Sequence, residues 1–108
     1  MILPIHELPK AIANQQHALH LIDRQIRSAQ TAYHRLLAEI DTAIAFDKTL
    51  TNDTQRKAKR QELSENDEFQ AASVALELLK DQHAIAEIEL TYLENEFLVA
   101  QLEKRANP

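Results

Sequence analysis

Histidines are the side chains of this sequence best suited to chemistry, because imidazole ligates metals and exchanges protons near neutral pH. The five are His6, His17, His20, His34 and His83. His17 and His20 lie three residues apart and would share one face of a helix. A metal site needs three or four ligands, and no Glu-x-x-His motif accompanies this pair. We therefore predict no metal site and interpret all five histidines as structural or surface residues.

Nucleophiles and cofactor-binding loops are poorly represented. Ser28, Ser64 and Ser73 have no distinctive neighbours that would act as a base. The sequence has no Gly and no Cys, which excludes glycine-rich phosphate loops, nucleophile elbows, disulfides and cysteine-ligated zinc. Acidic residues are plentiful but regularly spread, as on the solvated flanks of a coiled coil. We predict no enzymatic activity and no cofactor.

One segment concentrates positive charge. This basic cluster consists of Arg56, Lys57, Lys59 and Arg60, four of the 12 basic residues. It is a candidate surface for an anionic partner such as nucleic acid. The favoured interpretation is a solvated helix balanced by the acidic residues that follow it. No aromatic residue lies among the four, so base stacking is not indicated, and the net charge of −5 argues against general nucleic-acid binding.

The first half of the chain has the pattern of one long helix. Pro9 suits a helix start, and nothing breaks the helix before Asp47, which predicts a helix over about 9–47. Apolar residues recur in alternating steps of four and three, the period of a coiled-coil seam. The positions of this α1 seam are Leu8, Ile12, Gln15, Leu19, Ile22, Ile26, Ala29, Tyr33, Leu36, Ile40 and Ala43.

A short helix and a second long helix follow. Asn52, with Gln55 three residues later, indicates a cap for a basic connector helix over about 54–63. Ser64 or Asn66 would cap the last helix, predicted over about 67–105. The inner seam of that helix consists of Phe69, Ala72, Leu76, Leu79, His83, Ala86, Leu90, Leu93, Phe97 and Ala100.

The two long helices have similar lengths and matching seams, which predicts an antiparallel coiled-coil hairpin forming a single domain over 1–108. Aligning the seams predicts which residues face each other. The pairs include Gln15 with Phe97, Ala29 with His83, and Tyr33 with Leu79. In this register His83 is a buried polar residue that fixes the alignment.

The last helix carries a second series with the same period, the outer stripe. It consists of Val74, Leu78, Asp81, Ile85, Ile88, Tyr92, Asn95, Val99 and Leu102. Leu78 lies two residues from Leu76 and so about 200° around the helix, which places the stripe opposite the inner seam. Monomers rarely expose a continuous apolar stripe. The seven apolar members therefore predict self-association into a homodimer or a higher even oligomer, most simply an all-α four-helix dimer.

These patterns favour a small structural or protein-interaction module, either self-associated or bound to an unidentified protein. An accessory protein that binds nucleic acid through the basic cluster is the alternative. The apolar N-terminal segment Met1–Ile5 is too short for a signal peptide and lacks a basic start. No apolar run is long enough to span a membrane. We therefore expect a cytoplasmic location without a membrane partner.

Overall fold

The computed structural model describes residues 3–107, so Met1, Ile2 and Pro108 lie outside the described range. Within that range the protein is all-α and contains no strand. The elements are a 3-10 turn, Ile5–Glu7, followed by helices α1 (Leu8–Ala45), α2 (Asp53–Ser64) and α3 (Asp67–Ala106). The helices begin and end within two residues of the bounds that the sequence pattern predicts.

Asn52 caps α2, as the sequence predicts. Its Oδ1 accepts a hydrogen bond from the backbone N–H of Gln55 at 2.9 Å. The side chain of Gln55 reaches back, but its Oε1 accepts from the backbone N–H of Thr51 at 2.7 Å and not from Asn52. In a capping box the side chain of Gln55 would accept from the backbone N–H of Asn52 itself. Here the donor is the N–H of Thr51, one residue earlier in the chain.

Asn66 is the residue that caps α3. Its Oδ1 accepts from the backbone N–H of Glu68 at 2.7 Å, satisfying a donor that the first turn of a helix leaves unpaired. Ser64, the other predicted candidate, instead donates from its Oγ to the carbonyl oxygen of Arg60 at 2.7 Å. The acidic residues that open α3 and the basic residues Lys104 and Arg105 near its end complement the helix dipole.

The chain divides into two compact units. The first comprises Met1–Arg24 and Lys80–Pro108, and the second comprises Gln25–Leu79. The first unit contains the beginning of α1 and the C-terminal two thirds of α3. The second contains the rest of α1, all of α2 and the first turns of α3.

In the first unit, α1 and α3 turn their seams toward each other. Leu8 and Ala86 are buried, and the other seam positions in this unit are half-buried. Gln15 crosses between the helices, where its Nε2 donates to the carbonyl oxygen of Ala86 at 3.0 Å and to Glu89 at 3.2 Å. This side chain occupies the polar position of the α1 seam and finds its partners on α3.

In the second unit, the core is formed by aliphatic side chains and one aromatic pair. The buried residues are Leu36, Ile40, Ile44 and Leu76. The rings of Tyr33 and Phe69 pack with centroids 5.1 Å apart. Ala43, predicted as the last inward position, is exposed. A straight α-helix drifts by about 20° per heptad, so by the last turns of α1 the inward face has moved to Ile44.

The predicted alignment of α1 with α3 is wrong by about one heptad. The observed partners are Ala86 and Glu89 for Gln15, Asp23 for His83, and Phe69 for Tyr33. Each α1 residue thus meets a residue nearer the N-terminus of α3 than predicted. Two seams with a seven-residue period match equally well after sliding by one period, so the pattern alone does not choose between these registers.

Candidate self-association surface

The apolar members of the outer stripe are exposed. In the first unit their exposed fractions are 57% for Ile85, 69% for Ile88, 57% for Tyr92, 51% for Val99 and 53% for Leu102. In the second unit they are 56% for Val74 and 57% for Leu78. All seven residues predicted from the sequence therefore present apolar surface to solvent.

The two faces of α3 differ sharply in burial. Every inner-seam position is buried or half-buried, and every outer-stripe position, including the polar Asp81 and Asn95, is exposed. The cause is helical geometry, since residues two apart point about 200° away from each other. The inner seam packs within the units, and the outer stripe has no cover from the described part of this chain.

Ile88 forms a ridge between two shallow grooves on the surface of the first unit. One groove, of about 430 Å³, is lined by Gln15, Ile88, Glu89, Tyr92 and Leu93. The other, of about 390 Å³, is lined by Ala84, Glu87, Ile88 and Thr91. Alternating ridges and grooves are the surface into which another helix packs.

Three large exposed apolar residues, Leu21, Phe46 and Leu98, were not predicted as part of any site. Leu98, at 54% exposure, lies next to Val99 and four residues before Leu102, so it widens the apolar face of the first unit. Its spacing from Leu102 is the sequence signal that could have identified it. Phe46, at 81% exposure, follows the end of α1 in the second unit and lies apart from the outer stripe in the sequence.

The basic cluster on α2 is largely paired with carboxylates. The pairs are Arg56 with Asp53 at 3.0 Å, Lys59 with Glu62 at 3.5 Å, and Arg60 with Asp41. Asp41 belongs to α1, so the last pair joins two helices of the second unit. Exposed pairs of this kind contribute up to about 1 kcal/mol each, and they lower the positive potential that the cluster offers to an anionic partner.

His83 is half-buried in the inner seam and contacts two carboxylates, where the sequence predicts a buried residue opposite Ala29. Its Nε2 lies 2.8 Å from Asp23 of α1, and its Nδ1 lies 2.8 Å from Glu87 of α3. The side chain is 24% exposed. The imidazole therefore contacts a carboxylate on each of the two helices. Within residues 3–107, no group of three or more His, Asp or Glu side chains is placed to hold a metal ion.

The turn after α1 contains one perturbed carboxyl group. The side chain and the backbone N–H of Thr49 both donate to Oδ1 of Asp47, the backbone bond at 2.9 Å. Hydrogen bonds to the ionised form favour that form, and they lower the pKa of Asp47. The contacts of Asp47 are local and hold the turn that leads toward α2.

No helix among residues 3–107 has both the length and the apolar character that crossing a membrane requires. Comparisons of the chain with models of known protein families, with curated proteins and with solved structures gave no match. The exposed face of α3 is the feature of the chain that bears on function.

Proposed function

We propose that this protein is a small cytoplasmic structural module that self-associates through the outer stripe of α3. The observation that carries the proposal is the exposure of five apolar side chains along one face of a helix whose opposite face packs inward in the first unit. Apolar side chains scattered singly on a surface need no explanation, but a continuous stripe marks an interaction site.

The free energy available from covering this face is comparable with the cost of forming a dimer. Full burial of a large apolar side chain stabilises by about 1.5–3 kcal/mol, and these side chains retain roughly half of that because they are half exposed. Covering the five side chains of the first unit in two copies would contribute on the order of 10 kcal/mol. Association itself costs an estimated 4–15 kcal/mol. Because the two magnitudes are comparable, the extent of association depends on protein concentration.

A twofold dimer is the simplest assembly that covers the stripe on every copy. In such a dimer each copy uses the same patch, so the stripe itself offers no surface for further growth. Each first unit contributes its segments of α1 and α3, and the two copies together form a four-helix arrangement with the α3 segments in contact.

The test is a double substitution in the stripe, Ile85→Glu with Ile88→Glu. Sedimentation equilibrium at tens of micromolar should show a dimer or a higher even oligomer for the wild type and a monomer for the variant, because unpaired buried charge is costly. A matched control is Leu21→Glu with Phe46→Glu, which makes the same chemical change at two exposed apolar positions outside the stripe. The control should remain associated.

A monomeric wild type at these concentrations would contradict the proposal. Dissociation of the control variant to the same extent as the stripe variant would also contradict it, because the effect would then follow from added charge and not from position.

A further inference from the structure

We propose that the α3 helices of two copies pair antiparallel, with the twofold axis passing between Ile85 and Ile88. This inference rests on the proposed self-association and specifies its occupant, a second copy of the chain, and its geometry. The outer stripe matches itself when one copy is turned end for end.

The period of the stripe limits the choice of alignments. The stripe positions form two sets, each with a seven-residue period, of which Ile85 and Ile88 are one member each. When two such helices pack antiparallel, a position of one set faces a position of the other set on the second copy. Aligning Ile85 with Ile88 of the second copy then determines the other pairs. Within the first unit, the further pair is Asp81 with Tyr92.

This alignment gives Asp81 a hydrogen-bond partner. Asp81 is an exposed carboxylate within an otherwise apolar stripe, and covering it without a partner would be costly. Opposite it stands Tyr92 of the second copy, whose phenol is able to donate to the carboxylate in a charge-assisted hydrogen bond. Tyr92 is 57% exposed on the surface of its own copy. The twofold axis makes this contact occur twice.

The surroundings of the two central isoleucines fit the same alignment. Ile85 of the second copy falls at the level of the groove lined by Ile88, Glu89 and Tyr92. Glu89, at the edge of this groove, faces the neutral Gln82 of the second copy. The alignment therefore places an apolar side chain in a groove and brings no two acidic residues face to face at this edge.

Other alignments create unfavourable contacts. Sliding one copy by a heptad makes Ile88 face Tyr92 of the second copy and places Asp81 against Val99. It also brings the Glu89 side chains of the two copies face to face. A parallel pairing sets every stripe residue opposite itself, which brings the two Asp81 carboxylates together. Buried unpaired charge and juxtaposed like charges both oppose association.

Distances between spin labels on the two copies test the alignment. The chain has no cysteine, so Glu94→Cys and Glu103→Cys each introduce one label site, at positions outside the stripe. At 1.5 Å per residue, the proposed alignment separates the labels along the helix axis by about 22 Å at position 94 and about 50 Å at position 103. The slid alignment gives about 12 Å and 39 Å. A parallel pair gives equal distances at both positions.

The outcomes separate this inference from the proposed function. A dimer with equal separations, or with separations about 10 Å shorter than expected, overturns the alignment and leaves self-association standing. A monomer in sedimentation, with no dipolar coupling between labels, overturns the proposed function itself.

Substitution of the polar pair gives an independent measurement. Tyr92→Phe removes only the hydroxyl group and should raise the dimer Kd at least about tenfold, because two contacts are lost per dimer. Asp81→Asn should have a similar effect, and Tyr92→Phe made in the Asp81→Asn background should add little, since the two groups share one contact. An unchanged Kd for Tyr92→Phe would overturn the proposed contact.

Discussion

Truncation of Ile88 should weaken association strongly while leaving the single chain nearly as stable as before. Ile88 is the most exposed apolar residue of the outer stripe, at 69%. Full burial of an isoleucine is worth about 1.5–3 kcal/mol, so covering the exposed part contributes about 1–2 kcal/mol per copy. Ile88→Ala should therefore destabilise the dimer by about 2–4 kcal/mol, which raises its Kd roughly 30- to 1000-fold.

The effect on the monomer should be small for the same structural reason. Removing a side chain that is already exposed leaves no cavity, and alanine has the highest helix propensity. The free energy of unfolding, measured well below the dimer Kd, should change by less than about 0.5 kcal/mol. A loss of several kcal/mol at that concentration would show that Ile88 supports the fold of the single chain.

Sedimentation equilibrium over a concentration series gives the Kd, and chemical denaturation at low concentration gives the stability of the monomer. The matched control is Phe46→Ala, which removes a larger and more exposed apolar side chain, at 81% exposure, outside the stripe. If Phe46→Ala weakened the dimer as much as Ile88→Ala, general surface hydrophobicity and not the stripe would drive association.

Two further predictions concern the connector and α2. Replacing Arg56, Lys57, Lys59 and Arg60 with Gln should leave association unchanged, and the wild type should show no measurable nucleic-acid binding at physiological salt, because three of these residues already have carboxylate partners. A wild-type Kd below about 1 μM that is lost in the variant, measured by fluorescence anisotropy, would favour the nucleic-acid hypothesis. Thr49→Val should raise the pKa of Asp47 toward its ordinary value of 3.8, as followed by NMR titration of the carboxyl group. Since the hydrogen bonds lower this pKa, their stabilising effect is present above pH 3.8 and is lost as the pH falls through the pKa of the folded state; an unchanged titration would show that the hydroxyl of Thr49 has no part in it.

The secondary structure and the two faces of α3 were predictable because both follow from local rules. Asn52 caps α2 as its spacing from Gln55 indicates, and the burial of α3 alternates between its inner and outer series as a helical period requires. These properties depend on residues within one or two turns of each other, which a sequence displays directly.

Properties that depend on long-range alignment were not predictable in the same way. A seven-residue period is unchanged by sliding one heptad, so the pattern did not reveal that Gln15 meets Ala86. The ion pair of Arg60 with Asp41 joins residues on different helices, and the pairing of His83 with Asp23 depends on the actual register. The exposure of the candidate surface was predictable because it follows from the helical period. What covers that surface depends on a second molecule, which the pattern of one chain does not display.

Two opposite apolar faces on α3 give the folding chain a choice of which face α1 covers. The inner seam has a small residue every fourteen positions, at Ala72, Ala86 and Ala100, and the outer stripe has none. Small side chains let helix backbones approach closely, and the bond from Gln15 to the carbonyl oxygen of Ala86 at 3.0 Å forms at one of these points. A chain that docked α1 on the wrong face would lose that bond and the pairing of Asp23 with His83. These polar contacts therefore favour the inner seam over the outer stripe as the face that packs against α1.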